Sequence, residues 1–311
     1  MPRLVAFGLV LLVLLVACGR SPVRAAIIFS RCTPHTKDLV TTCTYDLYAV
    51  AIDGQRIVRL TKTRADESRP AVSPDGGVVA FARAARPSGG VDIWTMNIDG
   101  TNITRLPGSE GAASPAWTPD GRTLYFIRYR ETADGPCGSI FRIGRNGRSA
   151  QLVAKSRRFH SYEDPAVSPD GHTLAFSDWD GCSGGTSQPR LRTVDLLKRP
   201  TDDLNRLPRN GYYPNPEHDG PAWSPDGTRI AFLLNGRLSV ANRDGSSVQT
   251  LVSSQLAAND RPAWSRDGKW LAFVTQTSDL YIVHPDGHDL RRLMHSNGYV
   301  SSPAWLPMLP K

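Results

Sequence analysis

Aligned on a proline that recurs along the chain, the sequence brings charged residues to the same two positions in successive units. Two residues before that proline stand Ser68, Ala113, Glu163, Asp219, Asp260 and Ser301; one residue before it stand Arg69, Ser114, Asp164, Gly220, Arg261 and Ser302. Three acids at one repeat position would hold a cation or a basic group, because like charges brought together favour a compensating positive charge. The two arginines would bind an anion, and His160 and His218 stand nearby. Solvated polarity around a water-filled channel is the plainer alternative. Ser68, Ala113 and Ser301 replace the acids in the other three units, so the repeat itself does not require them. Glu163, Asp219, Asp260, Arg69, Arg261 and His218 are therefore the candidate ligand-binding residues.

Other motifs carry less chemistry. Asp75, Asp120, Asp170, Asp226 and Asp267 each sit in an Asp-Gly turn, where a short carboxylate bonds its own backbone. Gly181-Cys182-Ser183-Gly184-Gly185 matches the hydrolase pattern G-x-S-x-G, which works only as a strained strand-to-helix turn. No helix-period sequence follows it. Asp178-Trp179-Asp180-Gly181 starts like a calcium loop but lacks the closing Glu. No catalytic residue, metal site or cofactor is expected.

The amino terminus reads MPRLVAFGLVLLVLLVAC, one Arg before an apolar run that ends at Cys18. The run from Leu4 to Ala17 is 14 residues, short of the ~20 that span a bilayer. Its Leu-x-Ala-Cys ending resembles a bacterial lipobox, so residues 1–17 are expected to be a signal peptide, Cys18 the lipidated residue and 18–26 a short tether. Four further cysteines remain, Cys32, Cys43, Cys137 and Cys182, an even number open to three disulfide pairings in an oxidising compartment. The chain of 311 residues carries 37 Lys+Arg against 29 Asp+Glu, a net charge of +8 with no basic run, which disfavours nucleic-acid binding.

The elements that must position these residues are repeats. Pro70-Ala-Val-Ser-Pro-Asp-Gly76 recurs from Pro115, Pro165, Pro221 and, with Arg266 in place of proline, Pro262; a truncated copy, Pro303-Ala-Trp-Leu-Pro307, closes the chain. The spacings of 45, 50, 56, 41 and 41 residues with strand-like content predict propeller blades. Each unit reads as strand a (Pro-Ala-Trp/Val), a Ser-Pro-Asp-Gly turn, strand b, a variable loop, strand c, an Asp-Gly or Asn-Gly turn and strand d. The fourth unit has Lys198–Asp203 instead of that second turn, predicting a longer c–d connection. The first unit begins at strand b, Ile27–Ser30, and the last ends at strand a, Pro303–Trp305, so the two ends complete one blade and leave no open sheet edge. The expected fold is an all-β, six-bladed β-propeller of four-stranded blades over residues 27–311.

These units resemble the WD-like repeats of the TolB propeller family across about residues 27–305. Similar repeats occur in propellers fused to peptidases and in propeller-type lyases. The b–c and d–a loops should share one face, where Arg31–Tyr45, Asp178–Arg190 and Pro208–Gly220 are longest; Tyr212-Tyr213 in the last would suit sugar stacking. Cys32 and Cys43 bracket one b–c loop of the first blade, and Cys137 and Cys182 sit in b–c loops of neighbouring units, so the expected pairs are Cys32 with Cys43 and Cys137 with Cys182. The expected function is that of a non-catalytic, lipid-anchored monomer of the cell envelope, periplasmic or on the outer surface, that binds a protein, peptide or small ligand at its loop face and channel mouth. The membrane is met through the lipid anchor only. A metal-dependent propeller enzyme of lactonase or lyase type is the alternative.

Overall fold

A computed structural model describes residues 26–37, 40–84, 90–133, 135–148, 150–156, 160–182, 189–197, 205–206, 218–253, 256–258 and 260–306. Cys18 with its signal segment, Ser183–Gly185, Lys198–Asp203 and Tyr212-Tyr213 lie outside the described residues.

The described residues form six four-stranded antiparallel sheets. Blade 1 contains β1 (Ala26–Lys37), β2 (Val40–Ala51) and β3 (Ile57–Arg59). Blade 2 runs β4 (Asp66–Val72), β5 (Val78–Ala84), β6 (Val91–Asn97) and β7 (Thr104–Glu110); blade 3 runs β8 (Ala112–Trp117), β9 (Thr123–Thr132), β10 (Gly135–Gly144) and β11 (Gln151–Ala154). Blade 4 is β12 (His160–Val167), β13 (Thr173–Asp180), β14 (Arg190–Asp195) and β15 (Asn205–Arg206). Blade 5 is β16 (His218–Trp223), β17 (Arg229–Leu234), β18 (Arg237–Asn242) and β19 (Gln249–Thr250). Blade 6 is β20 (Ala263–Trp264), β21 (Leu271–Val274), β22 (Leu280–Val283) and β23 (Arg291–Met294), and β24 (Val300–Trp305) returns to blade 1 as its inner strand. Closure therefore follows the sequence: β24 pairs with β1, and the Leu306 amide donates to the Ala26 carbonyl at 3.0 Å.

Burial explains why the sheets stack. Strand b of every blade carries a phenylalanine, Phe29, Phe81, Phe126, Phe176, Phe232 and Phe273, none more than 2% exposed. The apolar core is divided into six clusters, and each joins two neighbouring blades. Phe81 and Leu47 meet between blades 2 and 1; Ile27 and Val300 meet Leu280 between blades 1 and 6. The ring has no interface without such a cluster, so burial holds each blade only through its neighbours.

The turns behave as their residues dictate. In Ser73-Pro-Asp-Gly76 the Gly76 amide donates to the Ser73 carbonyl at 2.8 Å, and Gly76 takes φ 74°, open to glycine at little cost. Asp75 accepts the Gly77 amide at 3.0 Å and the Ser73 hydroxyl. The Ser73 hydroxyl first, then the Gly77 amide and Arg145, hold the Asp75 carboxyl down at about 2. Arg145 comes from the c–d turn of blade 3 and lies over Trp117 of its own blade, so this turn also ties neighbouring blades. Arg243 does the same with Asp170 and Trp223.

The b–c connections differ from expectation. Arg31–Tyr45 is largely a hairpin: β1 and β2 stay in register from Ala26↔Ala51 out to Lys37↔Val40. The segment holds Thr33, Thr36, Thr41, Thr42 and Thr44, β-branched residues that suit extended backbone despite their polarity. The first residues of Asp178–Arg190 likewise continue β13 as far as Asp180. Both disulfides pair as expected. Cys32–Cys43 staples the blade 1 hairpin, and Cys137–Cys182 joins blade 3 to blade 4 with a Cα separation of 4.6 Å. The connection from β14 to β15 is longer than its counterparts, as the missing turn motif predicts.

Deleting residues 300–311 should abolish cooperative unfolding. The truncation strips β24 from β1 and opens the cluster containing Ile27 and Phe29. Calorimetry and size-exclusion chromatography should show aggregation or a broad transition; an unchanged melting curve would contradict closure by β24.

Candidate functional site

The two aligned positions do not lie in loops at the channel mouth. They lie inside the inner strands in five blades, because strand a begins several residues before its proline. There the ladder skips: register shifts fall between Ser68 and Ala71, Ala113 and Ala116, Glu163 and Ala166, and Asp219 and Ala222. The residue before the proline takes the left-handed conformation, with φ 53° at Arg69, 51° at Ser114, 46° at Asp164, 61° at Gly220 and 54° at Ser302. Such a backbone costs about 1 kcal/mol or more for a residue with a Cβ, and a bulge re-aims its side chain. Blade 6 departs from this pattern: β20 begins only at Ala263, and Arg261 is not left-handed.

The re-aimed side chains of blades 2, 3 and 4 meet one another. Arg69 of blade 2 pairs through Nη1 with Asp164 of blade 4 and donates to the Ser114 hydroxyl of blade 3 at 2.9 Å. Blades 2 and 4 are not neighbours, so this bond reaches past the inner strand of blade 3. Asp164 is 5% exposed, while 32% of the Arg69 side chain remains open. Asp164 foremost pushes the Arg69 guanidinium upward in pKa, which keeps it charged.

Glu163 and Asp260 are each turned to a neighbouring blade. Tyr129 of blade 3 donates its hydroxyl to Glu163 Oε2 at 2.5 Å, and Ser161 donates to Oε1 at 3.2 Å. Burial first, and then the charge of Asp164, push the Glu163 carboxyl up to about 7, against the pull of Arg69 and the two hydroxyls. Burial and the adjoining Glu163 also raise the Tyr129 phenol. Asp260 accepts the Ser302 amide at 2.8 Å and hydroxyl at 2.9 Å through Oδ2, and the Arg261 amide at 2.7 Å through Oδ1. Arg261 extends its guanidinium toward blade 2, where Nη2 reaches the Pro70 carbonyl at 3.4 Å. Gly220 makes room for it: a Cβ there would lie 2.6 Å from the Arg261 Cα.

The structure thus brings Arg69, Arg261, Glu163 and Asp260 to one hub. His218 and Asp219 pair with Leu234 and Leu233 at the corresponding height, and their side chains lie outside the described residues. An arc of three free acids is not what the hub presents, since Glu163 and Asp260 bond neighbouring blades and Asp164 is the acid that faces Arg69. Tyr129 carried no signal, because it stands in strand b outside the proline-aligned positions. His160 belongs elsewhere: its Nδ1 lies 2.8 Å from Asp178, which Arg192 holds from the other side at 2.9 Å. That brace occupies Asp178, the first residue of the calcium-loop look-alike. Among the described residues no three His, Cys, Asp or Glu side chains converge to hold a metal ion.

Stability should fall as pH rises through the Glu163 transition. The folded carboxyl titrates near 7 against an ordinary 4.5, so the folded chain binds the extra proton between those values. The loss should amount to about 1–3 kcal/mol after allowing for channel solvent. Urea unfolding at pH 5 and pH 8 should show this slope in the wild type and a flatter one in Glu163→Gln; equal slopes would place the Glu163 carboxyl in water.

Comparison with known proteins places the chain in a family. A TolB homolog of Chlorobium luteolum is 28% identical over 151 residues, 49% of this chain and 31% of that protein. The Tol-Pal system protein TolB of Francisella tularensis is 25% identical over 198 residues, 64% of this chain and 42% of that protein. The chain therefore spans less than half the length of these relatives. The crystal structure of TolB from Acinetobacter baumannii superposes with a TM-score of 0.71 at 20% identity, covering 91% of this chain and 67% of that one. The model of the Tricorn protease N-terminal beta propeller domain matches residues 28–188, just over half of the 311, and the chain belongs to that family as a TolB-like six-bladed propeller.

Proposed function

We propose that the protein is a non-catalytic, lipid-anchored propeller of the cell envelope that binds a protein or peptide at the face carrying its b–c and d–a connections. The observation that carries this reading is the coincidence of three features on one face. Cys32–Cys43 and Cys137–Cys182 both lie on the b–c side, and the charged hub sits in the half of the inner strands nearest to it. A rim stapled by disulfides around a charged opening is a rigid recognition surface. Arg69, Asp164, Glu163 and Asp260 are spent on one another and on blade contacts, which favours ligand holding over acid–base or nucleophilic chemistry. The resemblance to TolB proteins, one of them named for the Tol-Pal system, supports an envelope setting and a protein partner. A lipid on Cys18 would hold the propeller at a membrane surface, where encounter with such a partner is confined to the envelope.

Two measurements test the reading. Tyr299, 68% exposed, lies in the d–a connection leading to β24, whereas Leu290, 41% exposed, lies in a c–d turn on the opposite face. A photo-crosslinking residue at position 299 should capture an envelope protein in cells, and one at 290 should not; capture only from 290 would overturn the assignment of the face. Cys18→Ser should release the protein from the membrane fraction and abolish palmitate labelling, and a labelled, membrane-bound variant would refute the anchor.

A further inference from the structure

The hub treats its two arginines differently. Arg69 is committed, with Asp164 and Ser114 taking the same nitrogen. Arg261 is not. Among the described residues its guanidinium makes one hydrogen bond, the 3.4 Å contact to the Pro70 carbonyl, and no carboxylate lies within ion-pairing distance. Asp260 is adjacent in sequence, yet both of its oxygens are spent on the Ser302 amide and hydroxyl and on the Arg261 backbone amide. Burial and the nearby positive charge of Arg69 lower the Arg261 pKa, while Asp164 and Asp260 only partly offset them. A guanidinium has five N–H donors in a planar fork, and those of Arg261 that do not reach Pro70 stay open to the channel solvent, where a ligand can meet them.

We infer that Arg261 is an anion subsite in the channel and that its ligand is a carboxylate, such as the end or an acidic side chain of the peptide entering from the b–c face. The planar fork matches a carboxylate with two parallel hydrogen bonds. A singly charged group fits the surroundings better than a doubly charged phosphate or sulfate, because the negative charges of Asp164 and Asp260 already act on Arg261. The backbone is built to leave the fork free. Blade 6 lacks the left-handed bulge that turns Arg69 toward Asp164, and Gly220 of blade 5 clears the space against which the Arg261 Cα and Cβ rest at 2.6 Å from a Cβ position. The inference rests on the proposed binding face, whose crosslinking test is independent of it.

Acetate is the probe for the group alone, with sulfate as the dianion. Nitrogen-15 spectra of the Arg Nε–H groups at pH 7 should show one resonance moving saturably with acetate and assigned to Arg261 by its loss in Arg261→Gln. Affinity for acetate should drop at least tenfold in Arg261→Gln and recover only in part in Arg261→Lys, which keeps the charge without the fork. The Arg69 resonance should stay near its unbound position. A short neutral peptide with a free carboxyl end, its amide, and the amide carrying one internal Glu then distinguish an end group from a side chain. Acetate binding that survives in Arg261→Gln, or sulfate binding more tightly than acetate, overturns the proposal. Arg261→Gln removes a single long hydrogen bond, so the variant should fold; Arg261→Lys serves as the readout if it does not. Failure of crosslinking at position 299 with intact acetate binding would refute the protein-binding face and leave the subsite standing.

Discussion

Six first strands have to reach one axis, and the space around that axis governs the rest of the molecule. Each of these strands carries Pro-Ala, and in four blades that alanine packs against the apolar cluster shared with a neighbouring blade. In four blades the next residue is a tryptophan whose indole N–H reaches back to the alanine carbonyl of the preceding blade. Trp117 bonds Ala71, Trp223 bonds Ala166, Trp264 bonds Ala222 and Trp305 bonds Ala263, at 2.8–3.1 Å. The indole thus satisfies a carbonyl on an inner strand whose free side faces the channel, and it fixes the angle between blades. By inserting a left-handed residue just before the proline, a strand bends at the hub and presents one side chain to the axis.

Much of this was legible because it is periodic. The Ser-Pro-Asp-Gly turn, the strand order and the split first blade are all written in residue types that recur at fixed offsets, and the turn chemistry is local. The disulfide partners followed once the blades were aligned. Residues that act by reaching across the ring were not legible. The Arg69–Asp164 pair joins residues 95 apart on blades that do not touch through their cores, and no local pattern announces it. The polar hairpin of blade 1 was hidden for a different reason, because its threonines carry extended propensity without the alternation that marks a half-buried strand. A further regularity lay in view: Asp46, Asp92 and Asp279 stand in or just before strand c of three blades, and an arginine follows thirteen positions later in each. Arg59, Arg105 and Arg292 meet those acids at 2.6, 2.7 and 3.7 Å, pinning strand d to strand c.

Charge at the hub therefore answers two separate demands. One is structural, since an inner strand buried against its neighbours must satisfy any acid it carries. The other is the presentation of whatever remains. Glu163, Asp164 and Asp260 meet the first demand through partners in other blades, and among the described residues of the hub the Arg261 fork is left over. An alignment by repeat position groups residues by where their Cα atoms sit. It does not reveal which way a bulge turns each side chain, so equivalent positions carry different roles.

The two interfaces that lack the indole bond show how the first demand is met. Val72 stands at the tryptophan position between blades 1 and 2, and Val167 between blades 3 and 4. In both places a glutamate of the inner strand bonds the preceding blade instead. Glu67, fully buried, accepts the Thr61 hydroxyl at 2.8 Å and the Thr63 hydroxyl at 2.5 Å from the end of blade 1. Glu163 accepts Tyr129 of blade 3, beside the Ser161–Gly138 hydrogen bond and the Cys137–Cys182 disulfide. Burial raises the pKa of both carboxyls, against the hydroxyls that each accepts from and, at Glu67, against the Arg83 guanidinium 3.4 Å away. The valine blades thus replace an indole donor with a buried acid, and the exchange leaves Glu163 beside Arg69. That adjacency is why a residue needed to join two blades also tunes the electrostatics of the channel they enclose.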